Sequence, residues 1–196
     1  LFVEPHRIQE QYGVQGFSNQ TYKTPDEAYT LAMSQMDYYH RLADEEPRIR
    51  LLRHQSDLAA VLATWADDQP FEKRLHGMAV LIENGDSIVE PKQFEEWYER
   101  GVRIVGPAWV GTRYCGGTKE PGGLTRLGEE LLDVMANLNA ILDLSHMAEQ
   151  AYYEALDRYS GAEIIASHSN PRKFRDTDRQ LSDDMIRRLA ERDGVI

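Results

Sequence analysis

Three residues that can bind a metal ion stand at the ends of three apolar runs. Glu83 closes "AVLIE", His146 closes "ILDLSH" and His168 closes "EIIASH". The last two runs end on the same Ser-His pair, with a helix-like segment between them. A carboxylate and two imidazoles form a donor set that suits Zn²⁺ and leaves a coordination position open for water. Such a metal would lower the pKa of that water to ~7 and polarise a bound carbonyl. A single histidine at a strand end is more often a hydrogen-bonded structural residue. Two in one repeated context, with a glutamate at a third strand end, make a shared metal site the sharper expectation.

The other chemically capable residues carry weaker signals. His6, His40 and His54 have no matching partner context, and His76 precedes its strand, on the opposite rim; all four read as surface or packing residues. Cys115 is the only cysteine, so neither an intrachain disulfide nor a thiolate cluster can form. With no base visible beside it, it reads as a structural or loop thiol rather than a nucleophile. The stretch "RYCGGTKEPGG" lacks the Gly-Lys-Ser/Thr of a nucleotide loop and reads as a loop on the substrate rim. Asp143 lies within a strand, where it could orient a metal-bound histidine or satisfy a nearby backbone group.

These residues converge only if the fold brings the strand ends together. Strand-like and helix-like runs alternate almost throughout. "TPDEAYTLAM" opens a helix, with Thr24 as N-cap, Pro25 in the first turn and Glu27 completing a capping box. "SDLAAVLATWADD" reads as a helix capped by Ser56, and "EPKQFEEWYERG" as one closed by Gly101. "LFVE", "RIRLLRH", "GMAVLIE", "VRIVGPAW", "AILDLSH" and "EIIASH" read as strands, and "VI" at the C-terminus as the stub of another. Strands that are apolar without alternation belong to a parallel sheet covered by helices on both faces. Serial βα units give an open doubly wound sheet or a (β/α)8 barrel, and in both the C-terminal strand ends share one face.

Composition sets the outer bounds. The 196 residues are enough for one domain with its own core, expected to span 1–196. A net charge of −11, from 33 acidic against 22 basic residues, argues against nucleic acid as a partner. No apolar run approaches the ~20 residues of a membrane span. The N-terminus is not a signal peptide, so a cytoplasmic location is expected. The chain lacks an initiator methionine and stops as a strand begins, so it reads as a segment of a longer one.

The sequence resembles the renal, or membrane, dipeptidase family of zinc peptidases (the M19 type). The matching stretches are "SQMDYYHRL", "LIENGDSI", "GVRIVGPAW", "GGLTRLGEELLDVMANLNAILDLSHM", "IIASHSNPRKF" and "DRQLSDDMIRRL", in the family's order and nearly end to end. The resemblance implies a (β/α)8 TIM barrel of the amidohydrolase type, incomplete here, with two zinc ions bridged by a glutamate and a dipeptide or similar small amide as substrate. Glu83 matches the bridging carboxylate, and His146 and His168 match the histidines of the second zinc, so ligands for one ion are present. Arg179 matches the arginine that grips the substrate carboxylate, a task suited to its bidentate fork. Trp109 or a neighbour stands where mammalian members carry a substrate-binding histidine, and Asp86 where "EGGHS" versions have histidine, which leaves substrate preference open. The family's His-x-Asp pair and its catalytic aspartate have no counterpart between Leu1 and Ile196. Family analogy also suggests a homodimer. Lactams, acylated amino acids or a non-catalytic role of the segment remain alternatives.

Overall fold

The computed structural model describes all residues except 13–18, 67–68 and 162. In chain order the first elements are β1 (Glu4–Pro5), α1 (His6–Tyr12), β2 (Thr21–Tyr22) and α2 (Pro25–Glu45). Next come β3 (Ile49–Leu51), α3 (Gln55–Ala63), β4 (His76–Met78), β5 (Val80–Glu83), α4 (Phe94–Arg100) and β6 (Val102–Gly106). A hairpin of β7 (Cys115–Gly117) and β8 (Glu120–Leu124) precedes α5 (Arg126–Asn137). The chain then runs through β9 (Ile141–Asp143), α6 (Glu149–Arg158), β10 (Ile164–Ile165) and α7 (Asp183–Ala190).

The central sheet is parallel, in the order β10-β9-β6-β5. Single parallel bridges continue it: Phe2 pairs with Glu83 outside β5, and Val195 pairs with Ile165 outside β10. Each neighbour in this arc is the next central strand along the chain, with no reversal. A doubly wound sheet reverses its strand order at a switch point, whereas a (β/α)8 barrel does not. The architecture is therefore α/β, an arc of a barrel with helices outside it.

The core lies between the strands and the inner faces of the helices. Val80, Ile82, Val102, Val105, Leu142 and Ile164 of the strands are buried. So are Ala28, Ala32 and Met36 of α2, Phe94 and Trp97 of α4, Leu131, Leu132 and Met135 of α5, and Ala151, Tyr152, Ala155 and Leu156 of α6. Each large side chain so buried contributes about 1.5–3 kcal/mol against exposure, most of it offset by chain entropy.

Local signals hold in α2, where Thr24 Oγ1 accepts from the Glu27 N–H and Glu27 returns a bond to the Thr24 N–H, both at 3.3 Å. Gly101 ends α4 at φ +113°. Two expectations change. Helix α3 begins at Gln55, one residue before Ser56, because the Asp57 carboxylate accepts the N–H groups of Arg53 (3.0 Å) and His54 (2.9 Å). The Gly-rich stretch is a hairpin rather than a free loop, packed so tightly that a Cβ on Gly116 would sit 2.4 Å from Gly122 N.

Candidate metal centre

The register of the sheet places the three expected ligands. Glu83 is opposite Gly106, and Asp143 is opposite Ile165. Glu83 is the last residue of β5, whereas His146 and His168 each lie three residues beyond the ends of β9 and β10. All three therefore project from the C-terminal rim of the arc.

Two backbone distortions aim them. Asn84, at φ +89°, turns the chain directly after Glu83, and its side-chain amide donates to Val3 O and to the Tyr22 hydroxyl, each at 3.0 Å. His146 itself has φ +70°, a left-handed conformation uncommon outside glycine and concentrated at functional sites.

The three side chains meet. Nε2 of His146 and Nε2 of His168 each lie 3.0 Å from Glu83 Oε1, and 3.1 Å from one another. The opposite ring nitrogens are engaged by hydroxyls: His146 Nδ1 is 3.1 Å from Thr118 Oγ1, and His168 Nδ1 is 2.7 Å from Ser167 Oγ. His146 is the most enclosed of the three, while His168 is open to solvent on one side. Burial opposes ionisation of Glu83, but the contacts with His146 and His168 outweigh it and hold the carboxyl below its ordinary value. Burial also lowers the pKa of His146, despite Glu83 beside it, which favours the neutral imidazole.

Around this triangle lie the other expected residues. Arg179 donates through Nη2 to the His168 carbonyl at 2.7 Å and through Nη1 to Ser169 Oγ at 3.0 Å. Two of its five donors are thus used, on the loop that carries His168. The Trp109 ring is 6.3 Å from the His146 ring, and Phe2 packs edge-on against Trp109 at 5.0 Å. Asp143 touches neither imidazole; its Oδ1 accepts the N–H groups of Ser145 and Ser167, both at 3.0 Å, and its Oδ2 accepts from the Ser167 hydroxyl. Asp86 is bonded to the Tyr22 hydroxyl (2.8 Å) and the Arg113 N–H (3.1 Å). Cys115 is buried, its thiol pushed up to about 12 by burial, as befits a structural residue. His40 is a packing residue, bonded to Arg100 O at 2.9 Å and to Arg53.

Sequence reasoning gave no role to Ser167 or Thr118. The doubled Ser-His pair was a usable signal for the first. Nothing in the sequence marks Thr118, which the β7–β8 hairpin brings in from 28 positions away.

Residues 6–196 match the family model described as membrane dipeptidase (peptidase family M19). An uncharacterised Acinetobacter calcoaceticus protein from the PQQ-III 3′ region is 24% identical over 208 residues, covering 100% of this chain and 63% of its own length. Among solved structures, the probable dipeptidase PvdM from Pseudomonas aeruginosa superposes with a TM-score of 0.75 at 21% identity, over 87% of this chain and 44% of that one. A metallo peptidase from Rhodobacter sphaeroides, solved with a phosphinate mimic of the dipeptide L-Ala-D-Ala, also gives 0.75 at 21% identity, over 88% of this chain and 50% of that one. The chain thus spans about half the length of the solved structures it matches. No helix among the described residues is long and apolar enough to cross a membrane. With a family model matched over residues 6–196 and a fold shared with these structures, the chain belongs to the membrane dipeptidase family, peptidase family M19.

Proposed function

We propose that the protein is a zinc-dependent, dipeptidase-like hydrolase in which Glu83, His146 and His168 hold metal while Arg179 and Trp109 meet the substrate. The observation that carries this reading is the closure of three ligand atoms to 3.0–3.1 Å at the rim of the arc. The donor set fits zinc: a tetrahedron with bonds of about 2.0–2.1 Å has edges of about 3.3 Å. The hydroxyls on the far ring nitrogens match the outer partners that orient metal-bound histidines.

A zinc ion held there supplies a water of lowered pKa and a positive charge for the developing oxyanion. The chain's own residues do the rest. Glu83 contributes negative charge and the two neutral imidazoles contribute lone pairs. Arg179, fixed to the His168 loop, keeps donors for a substrate carboxylate, which would set the scissile bond at a constant distance from Glu83. Trp109, backed by Phe2, forms an apolar wall that excludes water from one side.

Two measurements test this reading: zinc content of the purified chain, and dipeptide hydrolysis by the product of the complete reading frame before and after chelation. Hydrolysis unaffected by metal removal would exclude it. The aromatic wall at Trp109 favours one second reading, the same barrel acting on another amide or lactam with an apolar substituent, which a substrate panel separates.

A further inference from the structure

We propose that Asp143 and Ser167 form a positioning relay that keeps a proton on Nδ1 of His168. The proposal rests on the reading of His168 as a metal ligand. Ser167 Oγ contacts two groups at once, the buried Asp143 carboxylate and, at 2.7 Å, His168 Nδ1. Asp143 can only accept here: its other oxygen already takes the N–H groups of Ser145 and Ser167. A hydroxyl has one proton to give, and the carboxylate takes it. The contact with His168 is then free of lone-pair repulsion only if Nδ1–H donates to Ser167 Oγ.

That assignment leaves Nε2, the atom 3.0 Å from Glu83 Oε1, as the nitrogen that a metal can take; without a metal, a proton there bridges to Glu83. The relay thus puts the single proton of a neutral His168 on Nδ1 when Nε2 is given to a metal. Thr118 stands in a similar place for His146: it donates to the His146 carbonyl at 3.4 Å and lies 3.1 Å from Nδ1. Two hydroxyls from separate loops therefore hold two imidazoles in the same state. Asp143 reaches the His168 ring only through Ser167, which makes it a positioning residue.

The decisive variant is Asp143→Asn. An amide in place of Oδ2 donates to Ser167 Oγ, turning the serine proton toward His168 Nδ1 and driving the ring proton to Nε2. In the metal-free chain, long-range ¹H–¹⁵N correlation spectra should show His168 Nδ1 protonated in the wild type, and a proton on Nε2 alone in Asp143→Asn. Zinc affinity, measured by chelator competition, should fall about 10–100-fold in Asp143→Asn. Ser167→Ala should weaken zinc less, and adding Asp143→Asn to it should cost nothing further, because the relay is already cut. Circular dichroism checks the fold; should Asp143→Asn not fold, Ser167→Ala alone decides. A wild-type His168 without a proton on Nδ1, or a Ser167→Ala chain with unchanged tautomer and affinity, overturns the relay. A wild type that takes up no zinc overturns the metal reading instead, and the tautomer spectra still judge the relay.

Discussion

Asp143 and Ile165 face one another as register partners in the parallel ladder of β9 and β10. From that rung both segments run three residues further to a histidine, so the two Ser-His pairs arrive side by side. A shift of one residue would send one imidazole to the opposite face of its strand. The 3.1 Å approach of the two Nε2 atoms is therefore a consequence of strand register, and Glu83 joins them from the end of β5.

Metal binding should stabilise the fold through this triangle. Zinc at about a hundred times its dissociation constant adds about 2.7 kcal/mol to the folded state. Glu83→Gln removes the negative ligand while keeping its size, and should weaken zinc by more than about 100-fold, beyond what loss of an outer partner costs. Thermal melts with and without zinc check this. The wild-type midpoint should rise and the Glu83→Gln midpoint should not.

Gly101 gives a test of the scaffold apart from the chemistry. It ends α4 at φ +113°, and a Cβ there would meet only ordinary contacts, the nearest being Arg53 Cγ at 3.5 Å. The cost of Gly101→Ala is therefore backbone strain rather than collision, about 1–2 kcal/mol. Urea unfolding should show a lower midpoint with an unchanged slope.

The candidate ligands could be picked out in the sequence because strand ends are marked by the switch from apolar to polar residues. Glu83, His146 and His168 each sit at such a switch, and parallel strands present those ends on one face. Their support was not legible. Asp143 could be placed near the site, but whether it touched an imidazole or the backbone depends on one serine side chain. Thr118 comes from a hairpin that glycine spacing did not distinguish from a loop. The start of α3 moved because Asp57 competes with Ser56 for the capping role, a contest settled by side-chain reach. The choice between barrel arc and doubly wound sheet, left open by periodicity and argued only from resemblance, follows from strand order.

Arg179 should separate binding from folding. Its guanidinium holds the His168 carbonyl, so Arg179→Lys keeps the charge but loses the fork. In the complete reading frame, Arg179→Ala should raise KM for dipeptides with a free carboxylate by about 10–100-fold, the scale of a charged hydrogen bond. Dipeptide amides should be affected much less. Equal losses on both substrates would show that the arginine acts by holding the His168 loop alone.

Alkaline pH should unfold the chain through buried groups other than the candidate ligands. Burial raises the Cys115 thiol and the Tyr114 phenol, each to about 12, and burial likewise raises Tyr22, Tyr152 and Tyr159. For each the unfolded chain loses its proton first, so the neutral buried form contributes stability that is fully present below the unfolded pKa. That stability drains away as pH climbs through the interval up to the folded value. Urea midpoints should therefore hold steady to about pH 8.5 and fall beyond it, since an unfolded thiol titrates near 8.5 and a phenol near 10. Each such group adds at most about 1.4 kcal/mol per pH unit in its interval. Cys115→Ala should make the fall shallower by up to that amount between the thiol's two pKa values. A thiol reagent at pH 8 should find Cys115 only after unfolding; rapid labelling of the native chain would contradict the burial on which the argument stands.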